Sequence, residues 1–400
     1  MFDDTGRCGF ADNENLLGIQ GFLSSAVAHE FLKILTPTLS FTTGELEVIP
    51  LAPPPLEVDR IVSELVAMAR ADWDNFETSW DYGDQPLLRS GLKGTTLATS
   101  WQNWKLQSDT VIHRMQELET ENNRLFIDAY GLEDELTPNV AEEQITLARA
   151  DAQKDMAAFL SYAVGCMMGR YSLDRPGLIL ANAGESVPEY LAKVGLTQDQ
   201  LTFAPDEDGI IPVLDGEWFE DDIVARTREF LRATFGEATL RENIRFIEES
   251  LGRELRSYFL TDFYKDHLQT YKKRPIYWMI QSPRKGFSVL IYLHRYTRDT
   301  MNQMLNRYLR EYLVKLRSRI AHLAEVQTSG AVSTRDTSAA RKEFDKLTKT
   351  LHECEEWERQ VVLPLAQARI ELDLDDGVKV NYLKLGEALA PISGLAAAED

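Results

Sequence analysis

Cysteine is scarce. The chain has three in 400 residues, Cys8, Cys166 and Cys354, widely separated and never in a CxxC pair. Such a set builds neither a disulfide framework nor a thiolate metal site, and it suits a reducing compartment, so a cytoplasmic location is expected. Long apolar runs are also missing: none reaches the ~18 residues of a membrane helix. The opening MFDDTGRCGFADNENL has no basic stretch followed by an apolar one, so no secretory signal is read.

Catalytic signatures are equally thin. The six histidines (His29, His113, His267, His294, His322, His352) form no HExxH, HxH or His/Cys cluster. There is no GxxxxGK[ST] to cradle a nucleotide phosphate, no GxGxxG opening a helix and no GxSxG. The acidic run ELDLDDGVKV contains Asp373, Asp375, Asp376 and Gly377, but it departs from the EF-hand pattern and lacks its closing Glu. It reads as a surface turn feeding a short strand. No metal, cofactor or catalytic residue is assigned.

Positive charge is in overall deficit, yet locally concentrated. The formal net charge is -21. Between Lys265 and Arg319, however, thirteen Lys and Arg face only Asp266, Asp299 and Glu311, so this stretch carries +10 and the remainder -31. Its centre, KKRPIYWMIQSPRKGFSVLIYLHRYTR, interleaves the cations with Tyr277, Trp278, Phe287, Tyr292 and Tyr296. Two readings stand: a solvated face balancing acidic neighbours, or a seat for a polyanion. The aromatics fit either a core or a base-stacking platform. His294, inside the stretch, reads as a packed histidine or a phosphate contact.

Periodicity predicts a mainly α protein with a smaller α+β part. Helices are expected over 16–35, 56–80, 97–129, 145–169, 220–235 and 239–260. SFTTGELEVIPL is expected to be extended, and 172–216 to be a loop-rich acidic insert. WMI and SVLIYL flank a turn at Ser282–Gly286, which reads as a basic β-hairpin over 272–296. In 299–326, Leu309, Leu313, Leu316, Ile320 and Leu323 step by 4, 3, 4, 3, the seam of a helix pair. With a second helix over 336–370, this predicts a C-terminal antiparallel helical hairpin joined by SGAVSTRDTS. Four segments are expected: a helix–strand–helix part over 1–95, a helical connector over 96–171, the insert and its helices over 172–260, and the two hairpins over 261–400.

Several long phrases resemble one family. NNRLFIDAYGLEDELTP (122–138) and GFLSSAVAHEFLKILTPTLSFTTGELEVIPL (21–51) are similar to segments of large adenine-specific DNA methyltransferases, the second to the end of a target-recognition half. SYAVGCMMGRYSLDRPGLILANAG (161–184), YKKRPIYWMIQSPRKGFSVLIYLHRY (271–296) and LDLDDGVKVNYLKLGEAL (372–389) resemble the C-terminal portion of the PglX family, the adenine methyltransferases of BREX phage-defence systems. The resemblance implies that an N6-adenine methyltransferase core, using S-adenosylmethionine and an Asn-Pro-Pro-Tyr motif, flips and methylates the base. Neither that motif nor the cofactor loop occurs here, so the chain is expected to bind no cofactor and transfer no methyl group alone. It is expected to hold double-stranded DNA and help read it. The candidate contacts are Lys272, Lys273, Arg274, Arg284, Lys285, Arg295 and Arg298, with Arg284 and Lys285 foremost as groove-entering turn residues. The competing expectation is a protein-interaction scaffold that docks other phage-defence proteins or a phage DNA mimic. An independent metal-dependent nuclease is a weaker third.

Overall fold

The computed structural model describes residues 13–36, 44, 46, 48–328 and 334–395. Its contacts divide the chain into two compact units, Met1–Tyr82 with Trp101–Ala150, and Gly83–Ser100 with Asp151–Asp400.

The first unit is helical. The helix expected over 16–35 is two, α1 (Asn13–Leu23) and α2 (Ala26–Leu35). Ser25 makes the break: its backbone is extended, and its hydroxyl accepts the Ala28 N–H and donates to the Phe22 carbonyl. This is N-cap chemistry, which stops one helix and starts the next. Helix α3 (Val58–Trp73) ends seven residues earlier than expected, passing into turns. Helix α4 (Leu97–Tyr130) matches its expectation closely, its first turn falling in the other unit. Phe22, Val27, Val58, Val62, Phe126 and Ile127 form the core. Gly21 lets α1 approach α3, since a Cβ there would lie 2.6 Å from Val58 Cγ1. The phrase NNRLFIDAY supplies the fastening. Asn122 donates to the Gly21 carbonyl, Asn123 accepts the Ala26 N–H, and the Tyr130 hydroxyl bonds the backbone at Pro50 and Ala52. Half of SFTTGELEVIPL lies outside the described residues; of the rest, Gly44 and Leu46 are helical and residues 48–51 are turn and coil, so the expected extended segment is not found there.

The second unit surrounds a small sheet. Helix α5 (Ala152–Met167) starts later than the expected 145, at an Asp151 cap. The 172–216 insert contains two elements the sequence reading omits, α6 (Val187–Val194) and the strand β1 (Ile210–Pro212). Then come α7 (Ile223–Phe235), α8 (Leu240–Leu251), α9 (Leu255–Thr261) and α10 (Phe263–Thr270), the expected 239–260 helix being divided after Gly252. Strands β2 (Tyr277–Gln281) and β3 (Ser288–Tyr292) form the expected hairpin, and β1 adds to β3, giving the antiparallel order β1-β3-β2.

Thr300–Gln303 (α11) leads through a π-helical stretch, Met304–Leu309, into α12 (Arg310–Thr328). Opposite runs α13 (Thr334–Trp357), continued by a π-helical stretch, Glu358–Val362, and α14 (Leu363–Ala368). The pairs Arg319–Glu343, Arg317–Glu355 and Arg310–Glu358 run in opposite order along the two helices, so the hairpin is antiparallel as expected. Half of its linker lies outside the described residues, and the other half, from Thr334, opens α13. Leu309, Leu313, Leu316 and Leu323 are buried in its seam.

Side chains alternate across the sheet. Trp278, Ile280, Val289 and Ile291 face the core shared with the helical hairpin, while Tyr277 and Tyr292 face the opposite side. Every residue of both strands except Gln281 is buried. The run ELDLDDGVKV (371–380), expected to be a turn feeding a short strand, is instead a short turn at Leu374–Asp376 leading into α15 (Gly377–Leu385). Beyond it the chain returns to the sheet: the Ala390 N–H donates to the Met279 carbonyl, and Ile280 bridges to Leu389 along the outer edge of β2. No helix among the described residues is long and apolar enough to cross a membrane.

Candidate nucleic-acid interface

Burial of both faces decides what the basic stretch can offer. The aromatics are core: Tyr277, Trp278, Phe287 and Tyr292 are at most 1% exposed, so none is a platform for a base. The ribbon cannot enter a groove as a ribbon. Only its two ends carry accessible cations.

Most of the thirteen cations are already engaged. Lys265 pairs with Asp262, Arg298 with Glu371, Arg307 with Asp208, Arg310 with Glu358, Lys315 with Glu311, Arg317 with Glu355 and Arg319 with Glu343. Arg295 lies inside instead of on the surface. It is 6% exposed, donating from Nη1 to the Asp206 carbonyl and from Nη2 to the Glu207 carbonyl, each at 2.7 Å. Its guanidinium fastens the loop before β1, and burial lowers its affinity for the proton. The solvated, balanced reading therefore describes seven of the thirteen cations, and Arg295 is an eighth, engaged by buried carbonyls.

Five remain exposed and without a side-chain partner among the described residues: Lys272, Lys273, Arg274, Arg284 and Lys285. They form two sets. Lys272–Arg274 make a knuckle between α10 and β2, at the open end of the hairpin. Backbone N–H groups of Lys272, Lys273 and Arg274 close the end of α10 by donating to Gln269, Leu268 and Tyr271 carbonyls. That closure requires left-handed backbone at Lys272 (φ 50°) and Lys273 (φ 62°), where glycine is the favoured residue. Arg284 and Lys285 occupy the turn at the opposite end, across a five-residue strand that alone spans roughly 13 Å. Lys285 is left-handed too, at φ 62°. The fourth described non-glycine residue with positive φ is Arg369, so all four are cations.

The turn sits on an acidic seat. Glu353 of α13 accepts the Arg284 backbone N–H at 2.6 Å, and a Cβ on Gly286 would lie 2.7 Å from its other oxygen. Sequence reasoning missed Glu353, since nothing local ties it to a turn 69 residues earlier. Among the described residues the knuckle has no acidic side chain bonded to it. His267 of α10 holds it instead, its Nε2 accepting the N–H groups of Ile276 and Tyr277. Burial, with help from Arg170, pushes His267 down to about 3. His294 is half-buried, and its proton affinity falls for the same reasons, to about 4. Both stay neutral near pH 7.

Beyond the open end lies a cleft of about 850 Å³ lined by Arg298, Arg369 and Lys384 and by Asp299, Glu371 and Asp373. Its cations are paired, Arg298 with Glu371, Arg369 with Asp299 and Lys384 with Asp376, so it has no marked excess of either sign.

No family model matches the chain. Two curated relatives do. The adenine-specific methyltransferase PglX of Lacticaseibacillus casei (strain Zhang) is 36% identical over 400 residues, covering 96% of this chain and 32% of the relative. The adenine-specific methyltransferase BrxX of Escherichia coli O9:H4 (strain HS) is 33% identical over 429 residues, covering 99% of this chain and 35% of the relative. Over nearly its whole length this chain is homologous to the adenine-specific methyltransferases PglX and BrxX, and it spans about a third of theirs.

Proposed function

We propose that this chain is the DNA-holding portion of a site-specific N6-adenine methyltransferase acting in phage defence. Methyl transfer from S-adenosylmethionine resides in the part of its relatives that it does not span. The observation that carries the DNA reading is the set of five unengaged cations, three of them consecutive, in a chain of net charge -21. Outside the knuckle and the turn, the chain provides an acid or a carbonyl for each cation of the basic stretch. At the knuckle it provides none, and it accepts left-handed backbone at two lysines to display them.

Phosphates are the natural partner of an exposed, flexible Lys-Lys-Arg run, since ammonium groups act as point charges without base readout. The knuckle is the primary contact, and the turn, partly neutralised by Glu353, is secondary. Arg295 and Arg298 have partners of their own and are not contacts in this reading. Duplex binding by the 400-residue chain at low salt tests it. Charge reversal at Lys272, Lys273 and Arg274 should weaken binding more than reversal at Arg284 and Lys285. If neither triple nor double reversal changes affinity, or if no duplex is bound at low salt, the proposal is lost.

A second reading, a protein-docking scaffold, is favoured by a different observation. Leu56 and Trp80 in the first unit are each 97% exposed, and Trp73 and Phe76 beside Trp80 are also exposed. Large apolar side chains grouped this way mark interaction surfaces. Capture of other defence proteins that is lost on Trp73→Ser and Trp80→Ser, with no duplex binding, would favour it over the first.

A further inference from the structure

On the sheet face turned away from the helical hairpin lies a charge that the DNA reading does not use. Arg170, just beyond α5, is 9% exposed. No carboxylate pairs with it among the described residues. Its Nε donates to the Tyr171 hydroxyl at 3.1 Å and its Nη1 to the Tyr292 hydroxyl at 3.3 Å, while the guanidinium carbon lies 5.3 Å from the Tyr171 ring centre. Contact with an aromatic face offsets part of the lost hydration of a buried cation, but neither phenol brings a negative charge. Burial holds the Tyr277 and Tyr292 hydroxyls in their protonated form, so no counter-charge arises within the cluster.

The Tyr292 hydroxyl is satisfied, donating to the Leu180 carbonyl, but two neighbouring groups are donors without acceptors. His267 Nε2 accepts two backbone N–H groups, at 3.2 and 3.1 Å, so the imidazole proton must sit on Nδ1. That Nδ1 is buried and has no partner, and the same holds for the hydroxyl of the fully buried Tyr277. The rings are contiguous, His267 to Tyr277 at 4.8 Å and Tyr277 to Tyr292 at 5.4 Å between centres. Gly165 lies where Tyr171 and Tyr277 come together. A Cβ there would meet Tyr171 Cδ2 at 2.4 Å and the Tyr277 hydroxyl at 3.3 Å, so the partner of Arg170 and the orphaned hydroxyl crowd one backbone position.

We propose that this cluster holds a small monovalent anion of halide size, bound by the Arg170 guanidinium, the Tyr277 hydroxyl and the His267 Nδ1–H. An ordered water satisfies orphaned donors but leaves the buried positive charge uncompensated, whereas an anion does both. The ion is structural: it completes the interior between α5, α10 and the sheet, and it is independent of DNA binding.

Bromide is the probe. Crystals of the unaltered chain grown in sodium bromide should show an anomalous peak among Arg170, Tyr277 and His267. Thermal midpoints in sodium chloride or bromide should exceed those in sodium glutamate, whose anion is too large to enter, by about 2–4 °C at equal ionic strength. Arg170→Gln should abolish that difference. Water without a bromide peak at the cluster, bromide only at the surface, or equal midpoints in all three salts overturns the proposal. The bromide measurement needs no variant, so it decides even if Arg170→Gln fails to fold.

Discussion

Replacing both left-handed lysines of the knuckle by glycine should move stability and DNA affinity in opposite directions. An L residue in the left-handed region costs roughly 1–2 kcal/mol relative to right-handed backbone. Glycine avoids that cost but loses about 0.5–1 kcal/mol through the greater freedom of its unfolded chain. The net gain is about 0.5–1 kcal/mol per site. Lys272→Gly with Lys273→Gly should therefore stabilise the second unit by about 1–2 kcal/mol, since the backbone bonds to Gln269 and Leu268 use N–H groups that glycine keeps. In a thermal melt that is a rise of roughly 2–6 °C. The same variant removes two candidate phosphate contacts. The slope of log affinity against log salt should fall by about 1.8, at ~0.9 per phosphate neutralised. Melting and fluorescence anisotropy with a labelled duplex read the two effects on one preparation. A higher midpoint with unchanged DNA binding would refute the idea that the lysines are kept for phosphate. Weaker binding with a lower midpoint would refute the strain argument.

Three further outcomes follow from packing. Arg295→Met should destabilise the second unit by about 3 kcal/mol in urea unfolding, because the Asp206 and Glu207 carbonyls lose their donor in a buried site, while the salt slope of DNA binding stays unchanged. Gly21→Ala should destabilise the first unit by about 1–3 kcal/mol, from the clash with Val58 and Val62. The third concerns acid. His267 is a base whose folded-state pKa is depressed to about 3, so its contribution is complete above its unfolded value near 6.5 and is lost as pH falls toward 3. Unfolding free energies from urea titrations should fall between pH 6.5 and 4 with a slope approaching about 1.4 kcal/mol per pH unit from this imidazole, and His267→Gln should remove that part of the slope.

The helical hairpin was legible because its information is local and periodic: the 4, 3, 4, 3 leucine step needs no knowledge of the partner. The β-hairpin was legible from its aromatic and β-branched runs around Ser282–Gly286. Strand β1 was not, for Ile210–Pro212 is three residues long, ends in proline and exists because β3 is beside it. Helix α6 carried a usable signal that was passed over. Ser186 and Glu189 form a capping box, Pro188 sits in the first turn, and Gly195 takes the left-handed position after the last turn. The single helix expected over 16–35 failed at Ser25, where side-chain capping outweighs a continuous apolar stripe.

For the site, the concentration of charge was legible and its division was not. Arg307 and Asp208 are 99 residues apart, Arg298 and Glu371 73, and Arg310 and Glu358 48. No local pattern separates an arginine that meets such a partner from a lysine that meets none. The same distance effect hid Arg295, whose acceptors are backbone carbonyls and leave no trace in residue type. The left-handed lysines were hidden because a helix ending in Lys-Lys-Arg reads simply as polar.

The return of the chain to the sheet after α15 has a consequence for solubility. Strand β2 is a sheet edge, and a bare edge of apolar, β-prone residues templates pairing with other molecules. The sequence YWMI contains no charge or proline to discourage that. Protection comes from Leu389 and Ala390, laid along the edge, with the Ala390 carbonyl fastened by the Tyr382 hydroxyl. The segment thus works as a guard against self-association as well as a closing piece of the core. The same strand whose ends carry exposed cations is kept from recognising its own copies by two residues that carry no charge at all.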